Sequence, residues 1–203
     1  PVLRIGNPSR VNDKMLSFTY ERRFEGHPAY AELWGIRKSI REMGNRMRKS
    51  SYSEREAARS RINHLRERAT ELEIQINEDL FSGARVIAST LVSSNHRILT
   101  GRRFTTLFID EAAQALEAAC WIAIRKADRV IFAGDHCQLP PTIKCIEAAR
   151  NGLEQTLMEK VAANKQETVS LLKVQYRMHQ SIMQFSSEWF YQGELQAAPE
   201  VTN

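Results

Sequence analysis

Cysteine is scarce in this 203-residue chain, and its three copies, Cys120, Cys137 and Cys145, form no CxxC pair and no His-linked metal spacing. That pattern excludes a disulfide framework, argues against a structural zinc site, and fits a reduced, cytoplasmic compartment. Long apolar runs are also missing. No stretch reaches the length that spans a bilayer, so no membrane partner is expected. The opening PVLRIG has neither the charged nor the apolar region of a signal peptide. It begins at Pro1 inside what reads as a strand, as expected of a piece cut from a longer protein. Acid is not in surplus: the net charge is +5 and the pI about 9.3, which permits an anionic partner without demanding one. No glycine is followed by lysine anywhere, so the GxxxxGKS or GxxxxGKT loop that cradles phosphates is absent.

What is present is α/β order. The tracts FTTLFIDE (104–111) and RVIFAGDHCQLPP (129–141) are β-forming and apolar and end in acid, as buried strands of a parallel sheet do. In such sheets ligands gather at the carboxyl ends of the strands. Asp110 and Glu111 are therefore expected at one strand tip, and Asp135 with Gln138 at another, facing one crevice. Strands are predicted over Val2–Gly6, Ala84–Thr90, Phe104–Asp110, Arg129–Ala133 and Thr168–Val174. Helical stretches fall near 112–126 and 152–163. Strands alternating with helices imply crossovers and a doubly wound parallel sheet. At this length the chain forms one large domain or one domain with an insertion.

The insertion reads as a helical hairpin. Leu33, Ile36, Ile40, Met43 and Met47 recur at steps of three and four, and Ile62, Leu65, Ala69, Leu72, Ile76 and Leu80 repeat them, which predicts two amphipathic helices joined by a short turn. Pro28 suits the first helical turn, and Ser53 with Glu56 has the spacing of a capping box. Between residues 37 and 68 eleven basic residues face four acidic ones. The surplus, which includes Arg46, Arg48, Lys49 and Arg55, exceeds that of the whole chain. A solvated face explains such charge as well as nucleic-acid contact does. Tyr52 is the one interleaved aromatic, which argues against base stacking there.

Hydrolysis of a phosphoanhydride needs a divalent cation, a group that activates water, and positive charge for the transition state. Asp110 suits magnesium held through water, and Glu111 can polarise the attacking water. Two carboxylates favoured by a helix N-terminus explain the same pair without catalysis. Gly134 permits a tight turn, the Gln138 amide can bond both a terminal phosphate and the water, and Pro140 with Pro141 stiffens the exit. Further on, Tyr176 can stack a base beside the Arg177 guanidinium; core packing and a surface ion pair are the plain alternatives.

DEAAQ (110–114), GDHCQLPPT (134–142) and VQYRMH (174–179) together resemble motifs II, III and IV of superfamily 1 helicases in the nonsense-mediated-decay helicase branch. ALEAACWIAIRKA (115–127), LRIGNPSRV (3–11) and FSSEWFYQGEL (185–195) look most like the immunoglobulin mu-binding protein subgroup. The resemblance implies an incomplete RecA-like lobe of a P-loop NTPase, with helices on both sheet faces, carrying the hairpin as an insertion. Its implied parts are residues 1–27 and 83–173 of the first lobe, the hairpin at 28–82, and a hinge with the start of a second lobe at 174–203. It also implies ATP and Mg2+ as cofactors, single-stranded DNA or RNA as partner, a monomeric parent and movement from 5′ to 3′.

By the same resemblance Asp110 would be the magnesium aspartate, Glu111 the catalytic base, Gln138 the sensor of the terminal phosphate, and Arg177 a second contact to it. Tyr176 would stack on adenine, with Gln175 and Asp135 also at the nucleotide. Pro8, Ser9 and Arg10, with Thr90 and Ser93, would meet the nucleic-acid backbone. Lacking the phosphate loop and the later motifs, this piece alone is expected to be inactive. Two other readings are a nucleic-acid-binding scaffold acting through the basic hairpin without catalysis, and a metal-dependent nuclease built on Asp110, Glu111 and Asp135.

Overall fold

The computed structural model describes residues 1–47 and 52–202. The chain divides into two compact units, Pro1–Gly101 and Arg102–Asn203.

In the first unit, β1 (Val2–Ile5) leads to a single 3-10 turn at Pro8–Arg10, capped by the Asn7 side chain, which accepts the Ser9 N–H. Two short helices follow, α1 (Asp13–Leu16) and α2 (Tyr20–Glu25). Neither was foreseen from the sequence, because four to six residues are too few for periodicity to register. Then come α3 (Tyr30–Met47), α4 (Tyr52–Ser82) and β2 (Val86–Ser89), which pairs parallel with β1, Val2 opposite Val86 through Ile5 opposite Ser89. Leu3 and Ile5 are buried while Val2 and Arg4 are half-buried, the alternation of a strand with one covered face.

The two long helices pack along the apolar seam. Leu33, Ala69, Leu72 and Ile76 bury together, with Phe24, Tyr30, Ile36 and Leu80 against them. Further along, Glu42 to Arg46 face Ser60 to Leu65 across an open groove, so the helices run in opposite directions. Arg37 reaches Glu73 at 2.5 Å, and Arg68 joins Glu32 at 3.0 Å and Glu71 at 3.3 Å, which ties the rim of the seam with exposed ion pairs. α4 begins at Tyr52, one residue ahead of the expected cap at Ser53. Arg48 and Lys49 lie outside the described residues.

The second unit holds β3 (Phe104–Ile109), α5 (Glu117–Ile124), β4 (Ala127–Phe132), α6 (Ile146–Ala148), α7 (Leu157–Asn164), β5 (Val174–Gln175), α8 (Gln180–Phe190) and β6 (Gln196–Ala197). β3 and β4 are parallel, Phe104 opposite Ala127 through Ile109 opposite Phe132, with α5 as the crossover. α7 starts on a complete capping box, in which Thr156 and Glu159 each satisfy the other's backbone N–H.

Three expectations are corrected. One continuous sheet is not formed among the described residues; the strands pair as β1–β2, β3–β4 and β5–β6, each pair parallel. Phe108 on β3 is 69% exposed, where a doubly wound sheet would have a covering layer. The strand predicted over Thr168–Val174 is reduced to β5, because residues 169–172 are exposed and bond no neighbouring strand, and the ladder begins only where Lys173 O accepts the Gln196 N–H. The helix predicted from Gly152 begins only at Leu157: Gly152 has φ +94 and kinks the chain.

Candidate functional site

Because β3 and β4 are parallel, their carboxyl ends lie side by side. The ladder continues past both ends: Ala133 N–H donates to Ile109 O at 2.8 Å, and Ala112 N–H donates to Ala133 O at 2.9 Å. Between these bonds Glu111 takes a left-handed conformation, φ 52, unusual for a residue with a side chain and of a kind that concentrates at functional sites. Asp110 Oδ1 accepts the Glu111 N–H at 3.0 Å. Both carboxylates are exposed while Ala112 and Ala113 just beyond are 1% and 5% exposed. Small side chains anchor the turn and leave the two acids in solvent.

Gly134 is required for a reason the sequence did not reveal. A Cβ there would sit 2.9 Å from Ala112 N, 3.0 Å from Ala113 N and 3.1 Å from Met158 Sδ. Its role is close approach of two backbones, and the approach brings the Asp110–Glu111 turn against the loop of Asp135 and Gln138.

Asp135 organises that loop. Oδ1 accepts the Cys137 N–H at 3.0 Å, and Oδ2 accepts the Gln138 amide at 2.7 Å and the Tyr191 hydroxyl at 2.5 Å. Burial raises the Asp135 pKa, but the hydroxyl, amide and N–H donors outweigh burial and hold it below the usual carboxylate value. Tyr191 is shifted upward by burial and by the Asp135 charge. Cys137 is likewise raised, by burial and then by Asp135, so its thiol is not activated as a nucleophile. Asp135, His136 and Cys137 bring potential ligand atoms within 4.8 Å of one another, yet this carboxylate already serves three donors. Asp110 is the less committed carboxylate: one oxygen accepts a backbone N–H, the side chain is exposed, and its hard oxygen has the chemistry that would suit magnesium.

Gln175 uses its amide locally. Oε1 accepts the N–H groups of Arg177 at 2.9 Å and Met178 at 3.0 Å, and Nε2 donates to Met178 O at 2.7 Å. This turn holds Tyr176 and Arg177 exposed. Among the described residues no hydrogen bond or ion pair joins Tyr176 or Arg177 to Asp110, Glu111 or Gln138, and none joins either acid to Gln138; what the structure shows is the backbone approach of the Asp110–Glu111 turn to the loop at Gly134.

In the first unit Thr90 Oγ1 donates to Ser93 Oγ at 2.8 Å and accepts the Ser93 N–H at 3.2 Å. A Cβ on Gly6 would lie 3.7 Å from Ser93 Oγ, which makes the turn after β1, with Pro8 and Ser9, a neighbour of the turn after β2. Arg4 Nη1 is buried beside Gly6 without a hydrogen-bond partner. Sequence reasoning passed over Arg4 as a strand residue, and over Tyr191, whose partner is 56 residues away. Both lie inside stretches that carry the family resemblance, 3–11 and 185–195, but nothing local assigns either a partner. Arg46 lines the groove between α3 and α4, and Arg55 lies in the first turns of α4.

Parallel strands whose carboxyl edge carries two acids and a sensor-like amide make up an α/β ligand-binding edge. The AAA domain family matches twice, over residues 1–145 and over residues 153–203, and the chain belongs to this family, in the superfamily 1 helicase branch. It is 34% identical over 206 residues to DNA-binding protein SMUBP-2 of Rattus norvegicus, covering 98% of this chain and 21% of that protein. It is 31% identical over 203 residues to the DNA polymerase alpha-associated DNA helicase A of Schizosaccharomyces pombe, covering 99% and 30%. With the Regulator of nonsense transcripts 1 homolog of Drosophila melanogaster it shares 41% over 118 residues, 58% of this chain and 10% of that protein. The chain thus spans less than a third of each of these relatives. No described helix is long and apolar enough to cross a membrane.

Proposed function

We propose that this chain is part of the motor of an ATP-dependent helicase or translocase that couples ATP hydrolysis to movement on single-stranded DNA or RNA, from 5′ to 3′. The observation that carries this reading is the packing of the Asp110–Glu111 turn on Gly134, which sets two acids beside the Asp135–Gln138 loop. In this reading Asp110 holds Mg2+ through water and Glu111 draws the proton from the attacking water. Gln138, with one N–H given to Asp135, has Oε1 to accept from that water and its second amide N–H to donate to the terminal phosphate. Tyr176, exposed on its turn, stacks on adenine, and Arg177 approaches the terminal phosphate from the start of a second lobe at 174–203. The Gln175 amide, engaged in its own turn, acts by shaping it. Residues 1–27 and 83–173 form the RecA-like first lobe, and 28–82 is its inserted hairpin.

The segment after β1 that leads to Pro8, Ser9 and Arg10 starts at Gly6 beside Ser93, which fits a row of contacts to a nucleic-acid backbone from these residues and Thr90. Arg46, Arg48, Lys49 and Arg55 add charge from the hairpin. The phosphate-cradling loop is absent from this sequence, so the residues present do not supply the backbone cradle of a triphosphate. In the full-length protein Glu111→Gln is expected to lower nucleic-acid-stimulated ATP hydrolysis by at least about 100-fold while nucleotide binding persists. Hydrolysis at the unaltered rate would rule the reading out.

A further inference from the structure

The loop after β4 is tied to the far end of the second unit by two adjacent contacts. Tyr191 donates its hydroxyl to Asp135 Oδ2 at 2.5 Å, and next to it Cys137 Sγ meets Phe190 O at 3.9 Å. The first is the stronger, because a charged acceptor strengthens and shortens a hydrogen bond while a thiol is a weak donor. Asp135 Oδ2 also accepts the Gln138 amide at 2.7 Å. One carboxylate oxygen therefore holds both donors and has no lone pair left for a third. With one N–H fixed this way, the Gln138 amide plane is set, and its carbonyl oxygen and second N–H are the groups left for other partners.

Tyr191 is itself held firmly. It ends α8, its N–H donates to Ser187 O at 3.0 Å, and the Gly193 N–H donates to the same carbonyl at 2.9 Å. Leu195 N–H donates to Ser187 Oγ at 3.1 Å, and Ser187 is 3% exposed. From that turn the chain enters β6, which pairs with β5, and β5 leads directly into Tyr176 and Arg177. The turn that anchors Asp135 is thus joined, through the β5–β6 pair, to the turn that carries the aromatic and the guanidinium. Burial and the facing carboxylate keep the hydroxyl protonated, so it remains a donor at any working pH.

We propose that Tyr191 is a positioning residue: through Asp135 it sets the orientation of the Gln138 amide, and it links that amide to the segment bearing Arg177. This rests on the helicase reading, since it gives Gln138 a task to be oriented for. The test is ATP hydrolysis by the full-length protein, stimulated by single-stranded nucleic acid. Tyr191→Phe is expected to lower kcat about tenfold, the worth of one hydrogen bond to a charged group, with KM for ATP within about twofold. Combined with Gln138→Ala, it should add nothing to the loss caused by Gln138→Ala alone. An unchanged kcat, or losses that multiply, would overturn the proposal.

If Tyr191→Phe does not stay folded at the assay temperature, Asp135→Asn replaces it. Asn keeps one accepting oxygen on neutral ground, so the same fall in kcat is expected, and full kcat would equally overturn the proposal. Glu111→Gln in parallel separates the two failures. An active Glu111→Gln enzyme removes the helicase reading and this inference with it; an inactive one beside a fully active Tyr191→Phe enzyme removes this inference alone.

Discussion

The helical hairpin of α3 and α4 and the paired turns after β3 and β4 are built in opposite ways. The hairpin draws its stability from a seam of many similar contacts, with Leu33, Ala69, Leu72 and Ile76 at its centre. Its charge is a property of the sum, and no single arginine decides it. The turns depend on a few contacts that cannot be exchanged: a left-handed Glu111, two alanine N–H groups beside Gly134, and a carboxylate with three donors. A region made by repetition tolerates point changes, whereas a region made by close approach does not.

Gly134→Ala should sharpen that contrast most. The new Cβ would meet backbone atoms at 2.9 and 3.0 Å that cannot swing aside as a flexible side chain does, so about 1–3 kcal/mol of stability is expected to be lost, read by urea unfolding. Nucleic-acid-stimulated hydrolysis should fall with it. A fully stable Gly134→Ala protein would mean the turns are not held by this approach.

Acid should act on the turns next. The Asp135 pKa is lowered in the folded state, so its contribution is complete above the ordinary carboxylate value and is lost as pH falls through the folded value. Urea midpoints measured from about pH 6 down to about pH 3 should fall less steeply in Asp135→Asn than in the wild type. Equal slopes would show that the three donors do not favour the charged form.

The smallest effect belongs to the hairpin. Arg37→Ala breaks the Arg37–Glu73 pair, whose side chains are 47% and 38% exposed, and should cost less than about 1 kcal/mol, with the difference shrinking further in high salt. A loss as large as that of Gly134→Ala would break the comparison, because it would make a rim pair as decisive as a backbone contact.

The sequence was most readable where a period repeats. The hairpin seam was evident from steps of three and four, and β3 and β4 from apolar runs ending in acid, to within two residues at each end. Reading failed where local character and available partners disagreed. TVSLLKV has the composition of a strand, but only Lys173 and Val174 at its end reach β6, and Leu172 is 87% exposed. β6, two residues long, carries no pattern at all. In the candidate site Asp110, Glu111, Asp135 and Gln138 were all named from their motifs, whereas Tyr191 and Arg4, though inside stretches that carry the resemblance, gain a role only from what lies beside them.

The order of chemical groups along this chain was thus settled by the sequence alone: which strands end in acid, where charge accumulates, and that a phosphate-cradling loop is missing. Tertiary structure decided which groups meet. Gly134 is needed because two backbones converge on it, and the Asp135 pKa is lowered because a tyrosine distant in sequence donates to it along with the Gln138 amide and the Cys137 N–H. Periodicity records which face of an element is buried, and it carries no information about what another element brings to that face.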